Sequence, residues 1–184
     1  MDILLPDLVL ESVLDIDLKT LKRRGIAGIL IDIDNTLAHW EESEMKQEFI
    51  DWIELAEKDF KLCLVSNSLG ARAQSFAASL GIPAVGRALK PLNRAFLQAM
   101  ARVGLEPFET AVIGDQLFTD IWGGNRLNLY TILVNPLSSR EFFTTRLVRR
   151  LERLVLRRLV RRNKLEAQIL AIRQGGDGGN GENL

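Results

Sequence analysis

The chain is short of the residues that carry redox chemistry and soft-metal ligation: its 184 residues include one cysteine and one histidine. A lone cysteine excludes an intramolecular disulfide, and the apolar run Leu62-Cys63-Leu64-Val65 makes Cys63 a buried structural thiol rather than a nucleophile. No apolar stretch approaches the ~18 residues that span a bilayer. The N-terminus, Met1-Asp2-Ile3-Leu4-Leu5-Pro6-Asp7, is acidic where a secretory leader is basic. The expected location is the cytoplasm, in solution or peripheral on the inner leaflet of its membrane. Gly123-Gly124 has the spacing of neither a P-loop nor a dinucleotide fingerprint, and is expected to serve backbone packing. What is present is length for one domain with an appendage, and 47% hydrophobic residues, enough for a core.

Net charge is also missing, since 24 Lys+Arg balance 24 Asp+Glu, but the balance hides an asymmetry. Residues 1 to 139 carry 13 basic and 19 acidic side chains, residues 140 to 173 carry 11 and 3, and the last eleven add two acids. A mildly acidic body thus bears an arginine arm, which points to an anionic partner. On a helical wheel, Phe143, Leu147, Val148, Leu151, Leu154, Val155 and Leu159 share one face, with Arg146, Arg149, Arg150, Arg153 and Arg157 mostly opposite. The pattern predicts a basic amphipathic helix over 139 to 173, then a disordered tail over 174 to 184. An anionic membrane surface is the first partner for residues 140 to 173. Docking on the parent domain or on a second copy in an oligomer is another reading. A nucleic-acid or ribosome-binding arm is a third, and the near absence of aromatics after Phe143 counts against it.

Between the ends, short β-rich runs alternate with amphipathic ones. The pattern predicts strands over Ala27 to Ile33, Lys61 to Ser66, Ala84 to Val85, Thr110 to Gly114 and Tyr130 to Val134. It predicts helices over Glu44 to Lys58, Ala71 to Leu80, Leu92 to Val103 and Leu117 to Arg126, with Gly81-Ile82-Pro83 and Gly104 as breaks. The expected fold is α/β, a doubly wound parallel sheet over residues 25 to 138, preceded by an amphipathic segment at 1 to 24.

The polar residues fall at strand ends. Asp32 and Asp34 follow the first predicted strand, Ser66 and Asn67 the second, Lys90 the third, and Asp115 the fourth, with Asp120 five residues on. Ligands of open α/β sheets bind outside the carboxyl ends of the strands, so these groups should meet in one crevice. Four carboxylates in such a place need a cation. Oxygen donors without His or Cys favour a hard ion such as Mg²⁺, which also takes phosphate oxygens. Lys90, the Ser66 hydroxyl and loop N–H groups could hold a phosphate. One carboxylate could then attack phosphorus while another moves protons.

Asp32-Ile33-Asp34-Asn35-Thr36-Leu37, Ser66-Asn67, Lys90-Pro91 and Gly114-Asp115-Gln116-Leu117-Phe118-Thr119-Asp120 resemble, in order and spacing, the four motifs of the haloacid dehalogenase (HAD) superfamily of phosphatases. The resemblance implies Asp32 as nucleophile, and Asp34 as general acid/base and metal ligand through its backbone carbonyl. It further implies Ser66 and Lys90 as phosphate holders and Asp115 as metal ligand, with Asp120 supporting the metal or Lys90. The spans from Asp34 to Ser66 and from Lys90 to Gly114 leave no room for a cap domain, so the crevice should be open to a bulky phosphate ester. Over roughly residues 5 to 137 the chain is similar to a narrower group, the capless subclass IIIA that includes YqeG-like and phosphatidylglycerophosphate phosphatases. The matching stretches are Asp15-Ile16-Asp17, Gly25-Ile26, Trp40, Thr119-Asp120-Ile121-Trp122-Gly123-Gly124-Asn125-Arg126 and Tyr130-Thr131-Ile132-Leu133-Val134. Ser68 departs from the asparagine expected there.

The resemblance therefore implies Mg²⁺-dependent hydrolysis of phosphatidylglycerophosphate to phosphatidylglycerol through an aspartyl-phosphate, with Asn67, Asn125 and Arg126 as further substrate contacts. A soluble phosphate ester or a phosphoprotein is an alternative substrate. A non-catalytic adaptor linked to ribosome assembly is an alternative function, opposed by the intact set of Asp32, Asp34, Lys90 and Asp115. Plainer roles stand beside these: Ser66 as a helix cap, His39 as a loop residue, Trp40 and Trp122 as packing under loops, Asn125 and Arg126 as a helix end.

Overall fold

A computed structural model describes residues 3–40, 42, 44–68, 70–137, 152, 154 and 155. The chain divides into two units, Met1–Arg140 and Glu141–Leu184. The helix expected over 139 to 173 lies outside the described residues except at 152, 154 and 155, which are helical, and the tail expected over 174 to 184 lies outside them altogether.

The first unit is built on a six-stranded parallel sheet ordered β1-β6-β5-β2-β3-β4. The strands are β1 (Leu8–Leu10), β2 (Gly28–Ile31), β3 (Lys61–Val65), β4 (Ala84–Val85), β5 (Thr110–Gly114) and β6 (Tyr130–Val134). The helices are α1 (Leu18–Arg23), α2 (Gln47–Glu57), α3 (Gly70–Leu80), α4 (Asn93–Val103) and α5 (Trp122–Arg126). Among the described residues, α2 is the only helix between β2 and β3.

Central strands buried on both faces read as apolar runs, and β2 is one, as is β5 after Thr110, whose hydroxyl is satisfied by the Glu106 carbonyl. Alternation splits them between two cores. Ile29 and Ile31 face a cluster with Phe49, Trp52 and Ile53 of α2 and Phe76 of α3. Leu30, Cys63 and Val112 face another, with Phe96, Ala99 and Met100 of α4. Gly124 of α5 abuts Val112 and Thr131, where a Cβ would come within 2.5 Å of Val112, so this glycine sets the closeness of helix to sheet. That is the packing role the sequence suggested for the Gly123-Gly124 pair.

The sixth strand, β1, was not among the five read from periodicity. It pairs with β6 at the sheet edge, Leu8 opposite Ile132, and Asp7 binds Thr131 through both side chain and backbone. Three residues whose partners lie more than 120 positions away leave no local pattern to read.

The chain order reverses between β2 and β5: successive strands run outward through β3 and β4 on one side, and through β6 on the other. Loops leaving β2 and β5 diverge there and open a crevice at the carboxyl end of the sheet.

Candidate active site

Buried polar side chains gather at this reversal. Of the ten buried polar or charged residues among those described, seven (Asp32, Asn35, Thr36, Ser66, Lys90, Asp115 and Asp120) come from the loops around it.

Asp32 leaves β2 with its N–H on the Ile113 carbonyl, which sets it beside the end of β5. The next residues turn tightly: the N–H groups of Thr36, Leu37 and Ala38 all point at the Ile33 carbonyl. Asn35 sits at φ 62°, a left-handed conformation that asparagine tolerates better than most residues. Asp115 follows β5, and Asp120 returns to the same place from a π-helical turn, Leu117–Ile121, that precedes α5. One carboxylate oxygen each from Asp32, Asp115 and Asp120 lies within 4.8 Å of the others.

Lys90 enters this cluster from the opposite side. Its ammonium donates to Asp32 Oδ1 and Asp120 Oδ1, each at 2.6 Å, with all three groups buried. Asp120 Oδ2 accepts from the Gln116 N–H at 3.2 Å and the Thr119 hydroxyl at 3.3 Å, so both its oxygens are engaged. Asn67 positions the lysine: its carbonyl oxygen accepts the Lys90 N–H at 2.7 Å, and its amide donates to the Lys90 carbonyl at 3.3 Å. The side chain of Asn67 is thereby committed to holding Lys90.

Charge here is out of balance. Burial pushes the Asp32 carboxyl well above its usual value, the Lys90 ammonium draws it down, and the Asp120 and Asp115 carboxylates push it up again. Burial works against the Lys90 ammonium, but Asp120 and Asp32 overcome it and hold the group protonated. One ammonium faces three buried carboxylates, and a divalent cation would relieve the excess. The donor set, all oxygen, fits Mg²⁺.

Asp34 points elsewhere. Its Oδ2 accepts from the Ser66 hydroxyl at 3.0 Å and its Oδ1 from Arg72 Nε at 3.0 Å, so its carboxylate lies outside the three-carboxylate group. Ser66, buried at the end of β3, receives the Ser68 N–H at 3.0 Å and touches the Ser68 hydroxyl at 2.7 Å. Ser68, the departure from the family pattern, therefore takes part in the local network.

The sequence reading missed Arg72. From the first turn of α3 it binds Asp34 and also the main-chain carbonyls of His39 and Glu42, tying the loop after β2 to the acid. It belongs to no motif, and 38 residues separate it from Asp34. The structure does not bring Asn125 and Arg126 to the crevice. They end α5, and a helix crossing a parallel sheet ends at the amino edge of the strands. The Asn125 amide donates to the Ile3 and Leu5 carbonyls, and its oxygen accepts from the Thr131 hydroxyl, an anchor for the N-terminal segment. His39 borders the loop, with its N–H on Glu42 at 3.3 Å, and Trp40 and Trp122 are partly exposed beside the crevice.

Comparison with known proteins agrees with this arrangement. A family model described as mitochondrial PGP phosphatase matches residues 1–137. The chain is similar to a protein named probable phosphatase YqeG from Bacillus subtilis, 39% identical over 163 residues, covering 88% of this chain and 95% of the relative. It is similar to phosphatidylglycerophosphate phosphatase 1 of Arabidopsis thaliana, 31% identical over 169 residues, covering 86% of this chain and 49% of that one. In fold it is similar to a HAD phosphatase from Thermococcus onnurineus: TM-score 0.53, 15% identity, 64% of this chain and 90% of that one. A HAD-like hydrolase from Porphyromonas gingivalis gives TM-score 0.52 at 18% identity, covering 67% and 98%. With the match running the length of the sheet and its crevice, the chain belongs to the YqeG-like PGP phosphatase family, has a HAD-like fold and is a phosphoric monoester hydrolase.

Proposed function

We propose that the crevice hydrolyses phosphatidylglycerophosphate to phosphatidylglycerol and phosphate, with Mg²⁺ and an aspartyl-phosphate intermediate, at the surface of the inner leaflet. The observation that carries the chemistry is Lys90 bridging Asp32 and Asp120 beside Asp115, at the point where the sheet order reverses. The lipid substrate is supported by the Arabidopsis relative's name and the family's description.

The Asp32 and Asp115 carboxylates and the Asp34 backbone carbonyl would hold the ion, with Asp120 beside them on Lys90. When bound, Mg²⁺ supplies neutralisation of the phosphoryl oxygens and of the carboxylate excess. Asp32 attacks phosphorus, forming a bond from its carboxylate oxygen as the ester P–O bond breaks, and Asp34 gives its proton to the departing oxygen. A water then attacks the same phosphorus and loses its proton to Asp34. The bond to Asp32 breaks, releasing phosphate. Ser66 and Lys90 bind the phosphoryl oxygens, and Asn67 keeps Lys90 in place.

The test is Mg²⁺-dependent phosphate release from phosphatidylglycerophosphate in mixed micelles, beside a soluble aryl phosphate, with Asp32→Asn as blank. Preference for the lipid, lost in the blank, is the expected result. Turnover of the soluble ester alone would keep the chemistry and reject the lipid.

A further inference from the structure

The segment carrying Lys90 alternates sharply in exposure. Ala88 and Lys90 are buried, whereas Leu89 is 69% and Leu92 52% exposed, and Arg87 and Arg94 are exposed on either side. Arg87 and Leu89 hold left-handed conformations, φ 51° and 54°. Side chains other than glycine, asparagine and aspartate rarely adopt this region. The backbone is fixed so that the lysine turns inward and the leucine outward. Trp122, 36% exposed, opens α5, which packs beside α4 through Gly123 on the Phe96 ring. Large apolar side chains held in water beside a crevice mark an interaction surface.

Charge around the strip is one-signed. Residues 60 to 105 contain six Lys or Arg and no Asp or Glu, whereas residues 26 to 59 contain ten acids and two bases. Of the six, Lys90 and Arg72 are paired with carboxylates of the site and Lys61 opens β3 at the amino edge of the sheet, so Arg87 and Arg94 are the exposed bases that flank the strip, while the acids of α2 lie on the other face of the sheet from α4. Exposed leucines interleaved with arginines suit an anionic bilayer, where apolar tips enter the interface and guanidinium groups stay among the headgroups.

We propose that Arg87, Leu89, Leu92 and Arg94, with Trp122, dock the phosphatase unit on an anionic lipid bilayer, the acidic α2 side turned away. The idea rests on the lipid-phosphatase reading for its purpose, but binding tests it without turnover. The occupant is a bilayer rather than a protein because the strip pairs the exposed tips of Leu89 and Leu92 with the exposed Arg87 and Arg94 and has no acid within residues 60 to 105.

The experiment uses the full chain and vesicles of equal phosphatidylglycerol and phosphatidylcholine with brominated acyl chains, which quench tryptophan on contact. Trp52 is buried in the core, whereas Trp40 is as exposed as Trp122, so Trp122→Phe and Trp40→Phe compared side by side identify the quenched residue. The expected result is quenching that disappears in Trp122→Phe, is absent with phosphatidylcholine alone, and needs about tenfold more lipid in the double variant Leu89→Asp/Leu92→Asp. Sedimentation with vesicles without quenching at Trp122 would overturn the proposal by assigning binding to residues beyond 140. So would no binding, equal binding to phosphatidylcholine, or no response to the double variant. Quenching without hydrolysis of any phosphate ester would instead reject the phosphatase mechanism and leave the docking surface standing.

Discussion

Arg72 Nε donates to Asp34 Oδ1 at 3.0 Å, and the same guanidinium holds the carbonyls of His39 and Glu42 while lying over the Phe76 ring, 5 Å or less from its centre. The acid that moves protons in the proposed mechanism is thus oriented by a group outside every motif. Replacing a residue that orients a reacting group typically costs about 10–100-fold in activity. Arg72→Ala should lower kcat by that factor on a soluble aryl phosphate, with a smaller change in KM. Arg72→Lys should recover little, since an ammonium cannot span three acceptors from one plane. Steady-state kinetics of both variants decide this, and unchanged kcat in Arg72→Ala would remove the residue from the positioning role.

Gly114 is set by Asp120. A Cβ at Gly114 would lie 2.2 Å from the Asp120 Cγ, so any side chain there displaces the carboxylate from Lys90. Gly123 is equally confined, 2.4 Å from the Phe96 ring, but faces the core. Overpacking of either should cost about 1–3 kcal/mol of stability. The two should differ in catalysis: Gly114→Ala should lose most of its kcat, while Gly123→Ala should keep its own wherever it remains folded. Urea denaturation paired with kinetics separates the outcomes.

The site was legible where chemistry and strand ends coincide in the chain. Asp32, Ser66 and Asp115 each stand directly after a strand and Lys90 in the loop five residues after β4, and a parallel sheet brings the carboxyl ends of its strands together. The turn of Asn35 was written in the residue itself. Contacts made across the chain without a repeat were not legible: Arg72 to Asp34, and Asn125 to Ile3 and Leu5. The stretch Leu117 to Arg126 reads as one helix by periodicity. It is a π-helical turn followed by α5, and in that turn Asp120 bonds back to the Gln116 N–H while reaching Lys90, a tertiary demand that overrides local preference.

Mg²⁺ should stabilise the fold as well as support turnover. Asp32, Asp115 and Asp120 crowd one ammonium, and an ion that binds them only in the folded chain adds stability by mass action. At about a hundred times its Kd the gain is about 2.7 kcal/mol, a rise in Tm of roughly 5–10 °C for a domain of this size. Asp115→Asn should be more stable than the parent without the ion, through relief of repulsion, and should respond less to it. Thermal melts over a Mg²⁺ titration, with no substrate present, give the result. A parent Tm indifferent to Mg²⁺ would separate the carboxylate cluster from metal binding.

Cys63 makes alkaline stability testable. The thiol is fully buried on β3, facing the core under α4, with a weak contact to the Leu64 carbonyl at 3.6 Å. Burial pushes its pKa from 9.0 up to about 11, against a small opposing pull from Arg102. Between those values the unfolded chain gives up a proton that the folded chain keeps, so stability is whole below pH 9 and falls as pH rises towards 11. The full effect is at most about 3 kcal/mol. Tyr130, also raised by burial, acts in the same sense. Urea midpoints at pH 8, 9.5 and 11 should fall steadily for the parent and less steeply for Cys63→Ala, compared each with its own value at pH 8. Parallel curves would show that the thiol ionises in the folded chain as readily as in the unfolded one, and that the strand core around it admits water.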